Sequence, residues 1–211
     1  DTRFMLTRIG KIVLDFLDES FIQWDLSKVE GVVNYFKKLS ESPKRTPLSA
    51  YDIALPIIEI LGSQLQIYPP KEEMEVNQKK ISNLKQALLE IGAYSDEYSE
   101  SSLFTWYILK ERWAKGVQVK EIENEFGTWA TYIDTITEPL AIILEKLVKP
   151  LAEYYNIPLS SEYDNEVVEI KYGVPRDVAP LLGIRGIGRV KVLTLYNTIL
   201  DNWGTFARSL I

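Results

Sequence analysis

Apolar residues recur at three- and four-residue spacings along most of the chain, a periodicity that predicts an all-α fold. One such stripe consists of Val29, Val32, Val33, Phe36 and Leu39, within a helix predicted over 27–39. Ser27 and Glu30 have the spacing of a capping box at its start. Further helices are predicted over 49–61, 71–91, 102–115, 119–126 and 161–172.

The segment 128–155 has a long apolar stripe. The apolar positions on one helical face are Ile133, Ile136, Leu140, Ile143, Leu144, Leu147 and Leu151. Pro139 and Pro150 fall inside this pattern and predict local irregularity, because proline cannot donate a backbone hydrogen bond. We interpret the segment as one long helix.

A turn with closely spaced glycines lies near the C-terminus, in the segment 183–188, which reads GIRGIG. Apolar residues before it suit a short helix ending at Gly183, and those after it suit a helix starting after Gly188. Glycine permits positive φ and close approach of a ligand, and the first N–H groups of a helix attract anions. Cations flank the turn, so the pattern indicates phosphate binding. The candidate phosphate-binding residues are Arg185, Gly186, Ile187, Gly188, Arg189 and Lys191.

Composition removes several classes of chemistry. The 211 residues include no cysteine and no histidine, which excludes disulfides, thiolate metal sites and Ser-His-Asp or Cys-His catalysis. No G-x-x-x-x-G-K-[ST] phosphate loop occurs. We therefore expect a chain that is not an enzyme by itself, with no catalytic residues, no metal site and no cofactor. No apolar run is long enough to span a membrane and no signal peptide is visible, so the expected location is cytoplasmic.

Charge is unevenly distributed along the chain. The net charge is −6, yet segment 171–191 carries five cations and one acid, a local charge of +4. Local charge decides whether a patch attracts phosphate. The acidic remainder should weaken nucleic-acid binding and make it sensitive to salt.

The segment 171–197 has a more specific pattern than the glycines alone. It runs YGV, then about ten residues, then IRGIGRVKVLTLYN. This string resembles the helix-hairpin-helix and C-terminal region of archaeal superfamily-two DNA repair helicases of the Hjm type. Val192 departs from the family, which usually has alanine there. The resemblance implies binding to single-stranded or branched DNA, and a parent protein that is an ATP-dependent DNA helicase.

The resemblance also implies a domain organisation. Thr7, Gly10 and Val13 are similar to the end of the helicases' winged helix, so 1–25 is predicted to be a remnant of that domain, with a simple N-terminal helix as the alternative. Residues 26–156 are predicted to form a helical bundle resembling the helicase ratchet domain. Residues 157–211 are predicted to form the helix-hairpin-helix unit. The expected fold is thus an all-α, multi-helix bundle followed by a helix-hairpin-helix unit.

Segment 128–155 aligns with the helix that tracks single-stranded DNA in these helicases. The arginine and tryptophan that contact the strand in the family fall on Tyr132 and Pro139 here. The family pair is therefore absent, which argues against strand translocation by this helix. The remaining candidate strand contacts are Trp129, Tyr132, Lys171 and Arg176.

Two functional hypotheses follow. The first is a sequence-nonspecific DNA-binding accessory module, resembling the C-terminal part of an ATP-dependent repair helicase without its ATPase motor. Its partners would be DNA and either the ATPase domains of the same helicase or a repair partner. The second is a degenerate, helicase-derived protein-interaction module with little DNA binding, which the charge of −6 favours.

Overall fold

A computed structural model confirms the all-α fold class. The structure describes residues 6–42, 46–67, 86, 89, 97–126 and 132–209, with side chains up to residue 202. Within these residues there is no β-strand, and one isolated bridge joins Leu48 to Leu159. The predicted helix over 71–91 lies almost entirely outside the described residues.

The first three helices are α1 (Arg8–Ser20), α2 (Leu26–Ser40) and α3 (Ala50–Leu61). Asp25 caps α2 by accepting a hydrogen bond from the Ser27 N–H at 2.9 Å, so the predicted capping role of Ser27 is wrong. Ser49 and Asp52 form a capping box at the start of α3. This box fixes where α3 begins, because each side chain satisfies an N–H group of the first turn.

The middle of the chain is helical over two long stretches. The first is α4 (Glu100–Ile108), which continues as a π-helical turn through Trp113, followed by α5 (Val119–Phe126). The second comprises α6 (Ile133–Ile143), a π-helical turn (Leu144–Val148) and α7 (Lys149–Tyr154). All seven apolar positions predicted for this second stretch are buried, which confirms a long helix from residue 133 onwards.

The C-terminal part contains α8 (Tyr163–Tyr172), a short 3-10 helix (Ala179–Gly183) and α9 (Arg189–Ser209). A short helical segment thus ends at Gly183 and a second helix begins directly after Gly188, as the apolar pattern predicts. The helix α9 continues through residues 201–209 to Ser209.

Two hydrophobic clusters divide the described residues. The large cluster takes side chains from every helix from α1 to α8, including Phe16 of α1 and Ile170 of α8. The small cluster is formed by Val174, Val178, Val192 and Leu193. The boundary indicated by packing therefore lies near Gly173, whereas the sequence-based boundaries are at residues 26 and 157. The difference arises because α1 and α8 each present an apolar face to the same core.

Within the described residues, no helix combines the length and apolarity that crossing a bilayer requires.

Candidate nucleic-acid interface

The turn between the 3-10 helix and α9 projects an open stretch of backbone. Gly186 has φ of +83°, a left-handed conformation that glycine adopts without steric cost. Gly188 does not have positive φ, and no atom lies within 4 Å of the place where its Cβ would stand. Both glycines therefore leave free space above the backbone, but only Gly186 is required by the shape of the turn.

Two of the predicted phosphate-binding cations are exposed beside this turn. Arg185 makes no hydrogen bond or ion pair with any residue that the structure describes. The Lys191 ammonium donates to the Gly186 carbonyl at 2.8 Å, which holds it over the turn. Ile187 is half-buried and packs against the small cluster, so it anchors the turn. Arg185 and Lys191 thus place two positive charges next to the first N–H groups of α9.

Arg189 has a different environment from the one that the sequence predicts. Its Nε donates to the Gly173 carbonyl at 2.8 Å, and one terminal nitrogen donates to the Val117 carbonyl at 2.6 Å and the Trp113 carbonyl at 3.4 Å. The guanidinium carbon also lies 3.9 Å from the centre of the Trp113 ring. The side chain thus points into the bundle, away from a phosphate ligand.

Burial lowers the pKa of Arg189 to about 10, and the negative charge of Asp134 opposes this shift. The group therefore stays charged at neutral pH, and its charge is compensated by backbone carbonyls, the Trp113 ring and Asp134. The prediction that Arg189 binds phosphate is replaced by a structural role. Arg189 attaches the start of α9 to the bundle, because both its polar and its aromatic partners belong to other helices or loops.

Gly173 makes this attachment sterically feasible. Its φ is +60°, and a Cβ there would stand 2.2 Å from the Trp113 ring and 2.7 Å from the Arg189 Nε. The Trp113 indole in turn donates to the Ile170 carbonyl at 2.8 Å. Trp113, Gly173 and Arg189 therefore form one closely packed junction, which we call the arginine junction.

Arg176, one of the four candidate strand contacts, is paired with acids of the protein itself. Arg176 forms ion pairs with Glu162 and, at 2.9 Å, with Glu169, so the predicted strand contact is not supported by its geometry. Burial raises the pKa of Glu169, although the hydrogen bond from the Tyr51 hydroxyl lowers it. The charge of Arg176 is therefore compensated by two acids of the same chain, Glu162 and Glu169.

The other candidates remain accessible or lie outside the described residues. Tyr132, directly before α6, exposes 64% of its surface. The Lys171 ammonium lies 5.2 Å from the centre of the Tyr172 ring. Trp129 lies outside the described residues. Pro139 is inside α6 and half-buried, so it does not provide an aromatic contact.

Sequence reasoning missed Tyr172, which exposes 42% of its surface beside the arginine junction. The YGV string drew attention to this segment, but it gave no indication of which way the tyrosine points. The arginine junction was also missed, because it joins Trp113 to residues about sixty and seventy-six positions later.

No protein-family model matches the chain, and no solved structure was found to be similar to it. The resemblance to repair helicases therefore stays a prediction from the sequence. In the part of the chain that the structure describes, no group of three or more acidic side chains is arranged to hold a metal ion.

Proposed function

We propose that this chain is a sequence-nonspecific DNA-binding accessory module, and that it binds the sugar-phosphate backbone through the turn at 184–188. The observation that carries the proposal is the combination of open backbone at Gly186 and Gly188 with two exposed cations, Arg185 and Lys191. The turn leads directly into α9, whose first N–H groups add partial positive charge.

Contacts of this kind position a protein on DNA without distinguishing bases, because every nucleotide carries the same phosphate. With Arg189 and Arg176 used inside the protein, two side-chain cations remain at the turn. Binding should therefore be weak, insensitive to sequence and dependent on salt.

The resemblance to repair helicases supports a more specific context. In that context the module accompanies ATPase domains, acts on single-stranded or branched DNA during repair, and is not an enzyme by itself. Tyr132 and Pro139 stand where the helicases have their strand-tracking pair, so the proposal assigns DNA holding, and no translocation, to this chain.

We expect the double variant Arg185→Ala/Lys191→Ala to lose most of the salt dependence of DNA binding. The slope of log K against log salt for single-stranded DNA should be about −1.4 for the wild type with two phosphate contacts, and near zero for the variant. Fluorescence anisotropy with a labelled oligonucleotide at several salt concentrations measures both affinity and slope.

A matched control is Lys37→Ala/Lys38→Ala, which removes the same charge from the exposed last turn of α2. If both double variants weaken binding and reduce the slope equally, total charge rather than the turn governs binding. If neither differs from the wild type, the turn is not a DNA-binding site.

One observation favours the second candidate function, a protein-interaction module. The outer face of α9 exposes Leu195, Ile199 and Leu200, each by 43% or more, and none of them joins either hydrophobic cluster. An exposed apolar face on an acidic protein is typical of a surface that binds another protein. This function would replace the first if the turn variant left DNA binding unchanged.

A further inference from the structure

A cavity of about 380 Å³ lies between α8 and the helix that runs from α6 into α7. Tyr172 and Val168 give it an apolar and aromatic wall, and its charged lining consists of two cations and two acids: Lys149, Lys171, Glu145 and Asp164. Asp164 accepts a hydrogen bond from the Lys149 ammonium at 2.7 Å, so that charge is paired. The Lys171 ammonium instead lies 5.2 Å from the centre of the Tyr172 ring.

This combination suits a nucleotide. An exposed aromatic ring offers a face on which any base can stack, and a neighbouring cation attracts the phosphate of that base. The apolar wall excludes water from one side of a planar ligand. An acidic or apolar peptide would use only one of these features.

The cavity is connected to the phosphate-binding turn through the arginine junction. Tyr172 directly precedes Gly173, whose carbonyl accepts the hydrogen bond from Arg189 at 2.8 Å. Arg189 directly follows the turn. This charge-assisted hydrogen bond therefore ties the residue after Tyr172 to the residue after the turn.

We propose that Tyr172 stacks on an unpaired base of a DNA strand whose phosphates lie at the turn. The proposal rests on the proposed function and makes it more specific, since it names single-stranded DNA as the preferred ligand. Bases within a duplex are already stacked on each other and cannot enter the cavity without unpairing.

The test compares two oligonucleotides of equal length, one of thymidine nucleotides and one without bases. The wild type should bind the thymidine strand more tightly, because only that strand can stack. Tyr172→Ala should weaken binding to the thymidine strand roughly 5- to 150-fold, the range for losing one stacked base. It should leave binding to the abasic strand unchanged.

Three further variants separate stacking from folding. Tyr172→Phe keeps the ring and should bind as the wild type does. Tyr172→Leu keeps apolar volume without a ring and should bind as Tyr172→Ala does, even if the alanine variant is less stable. Phe21→Ala, which removes a ring that is 96% exposed on the loop between α1 and α2, should have no effect.

The proposal is overturned if Tyr172→Ala or Tyr172→Leu binds the thymidine strand as tightly as the wild type does. It is also overturned if the wild type binds both strands equally. In either case the phosphate site at the turn stands. If the wild type binds neither strand, the proposed function itself fails, and the stacking proposal fails with it.

Discussion

We expect Gly173→Ala to be among the most destabilising single changes in the chain, lowering the free energy of unfolding by roughly 2–5 kcal/mol. Two effects add. The left-handed φ of +60° disfavours any residue with a Cβ, and that Cβ would stand 2.2 Å from the Trp113 ring. Neither the indole nor the guanidinium can move without breaking its hydrogen bond. Urea unfolding followed by circular dichroism measures the loss.

Gly183→Ala is the matched control for this change. Gly183 also lies in the C-terminal part, but its φ is not positive and no atom lies within 4 Å of the position of its Cβ. We expect its effect on the free energy of unfolding to stay within about 0.5 kcal/mol. Equal stabilities for the two variants would mean that the arginine junction is not packed as described.

The second large effect concerns the two arginines that lie four residues apart at the turn. Arg189→Ala should lower the free energy of unfolding by about 2–4 kcal/mol, since it removes charge-assisted hydrogen bonds and a cation–π contact. Three backbone carbonyls, of Trp113, Val117 and Gly173, lose this donor. Thermal and urea unfolding of the purified variant give the comparison.

Arg185→Ala should have the opposite effects: little change in stability and weaker DNA binding. Arg185 is exposed and makes no hydrogen bond or ion pair with the described residues, so its loss should change stability by less than about 0.5 kcal/mol. It should nevertheless weaken DNA binding and make the salt slope smaller by about 0.7 on single strands. If Arg185→Ala destabilised the protein and Arg189→Ala did not, the two roles would have been assigned the wrong way round.

Much of the helical architecture could be predicted from the sequence, because it depends on local periodicity. The stripe from Ile133 to Leu151 is buried at every predicted position. The start of α3 was also predictable, since Ser49 directly precedes an apolar run. The cap of α2 was misassigned because Asp25 and Ser27 are both good capping residues two positions apart, and local sequence does not decide between them.

The candidate site was less predictable, because the direction of a side chain depends on distant parts of the chain. Arg185 and Arg189 are equivalent in a count of charges near the turn. Only the position of Trp113 and of the carbonyls around it gives Arg189 a partner inside the protein. The pairing of Arg176 with Glu169 of α8 and with Glu162, directly before that helix, is similarly invisible without the fold.

The domain boundary was also hard to predict, because it depends on contacts between distant parts of the chain. The sequence-based boundary at residue 157 assigns α8 to the helix-hairpin-helix unit, yet Tyr163 and Ile170 of α8 belong to the large cluster. Periodicity identifies a buried face, but it does not identify which core that face joins.

The most direct test of the central claim is an NMR titration of the isotopically labelled chain with a short single-stranded oligonucleotide. The backbone amide resonances of Gly186, Gly188 and the first turn of α9 should shift most, and the shifts should diminish as salt is raised. Binding that leaves these amides unshifted, while resonances near Leu195 and Ile199 or elsewhere in the bundle move, would contradict phosphate recognition at the turn.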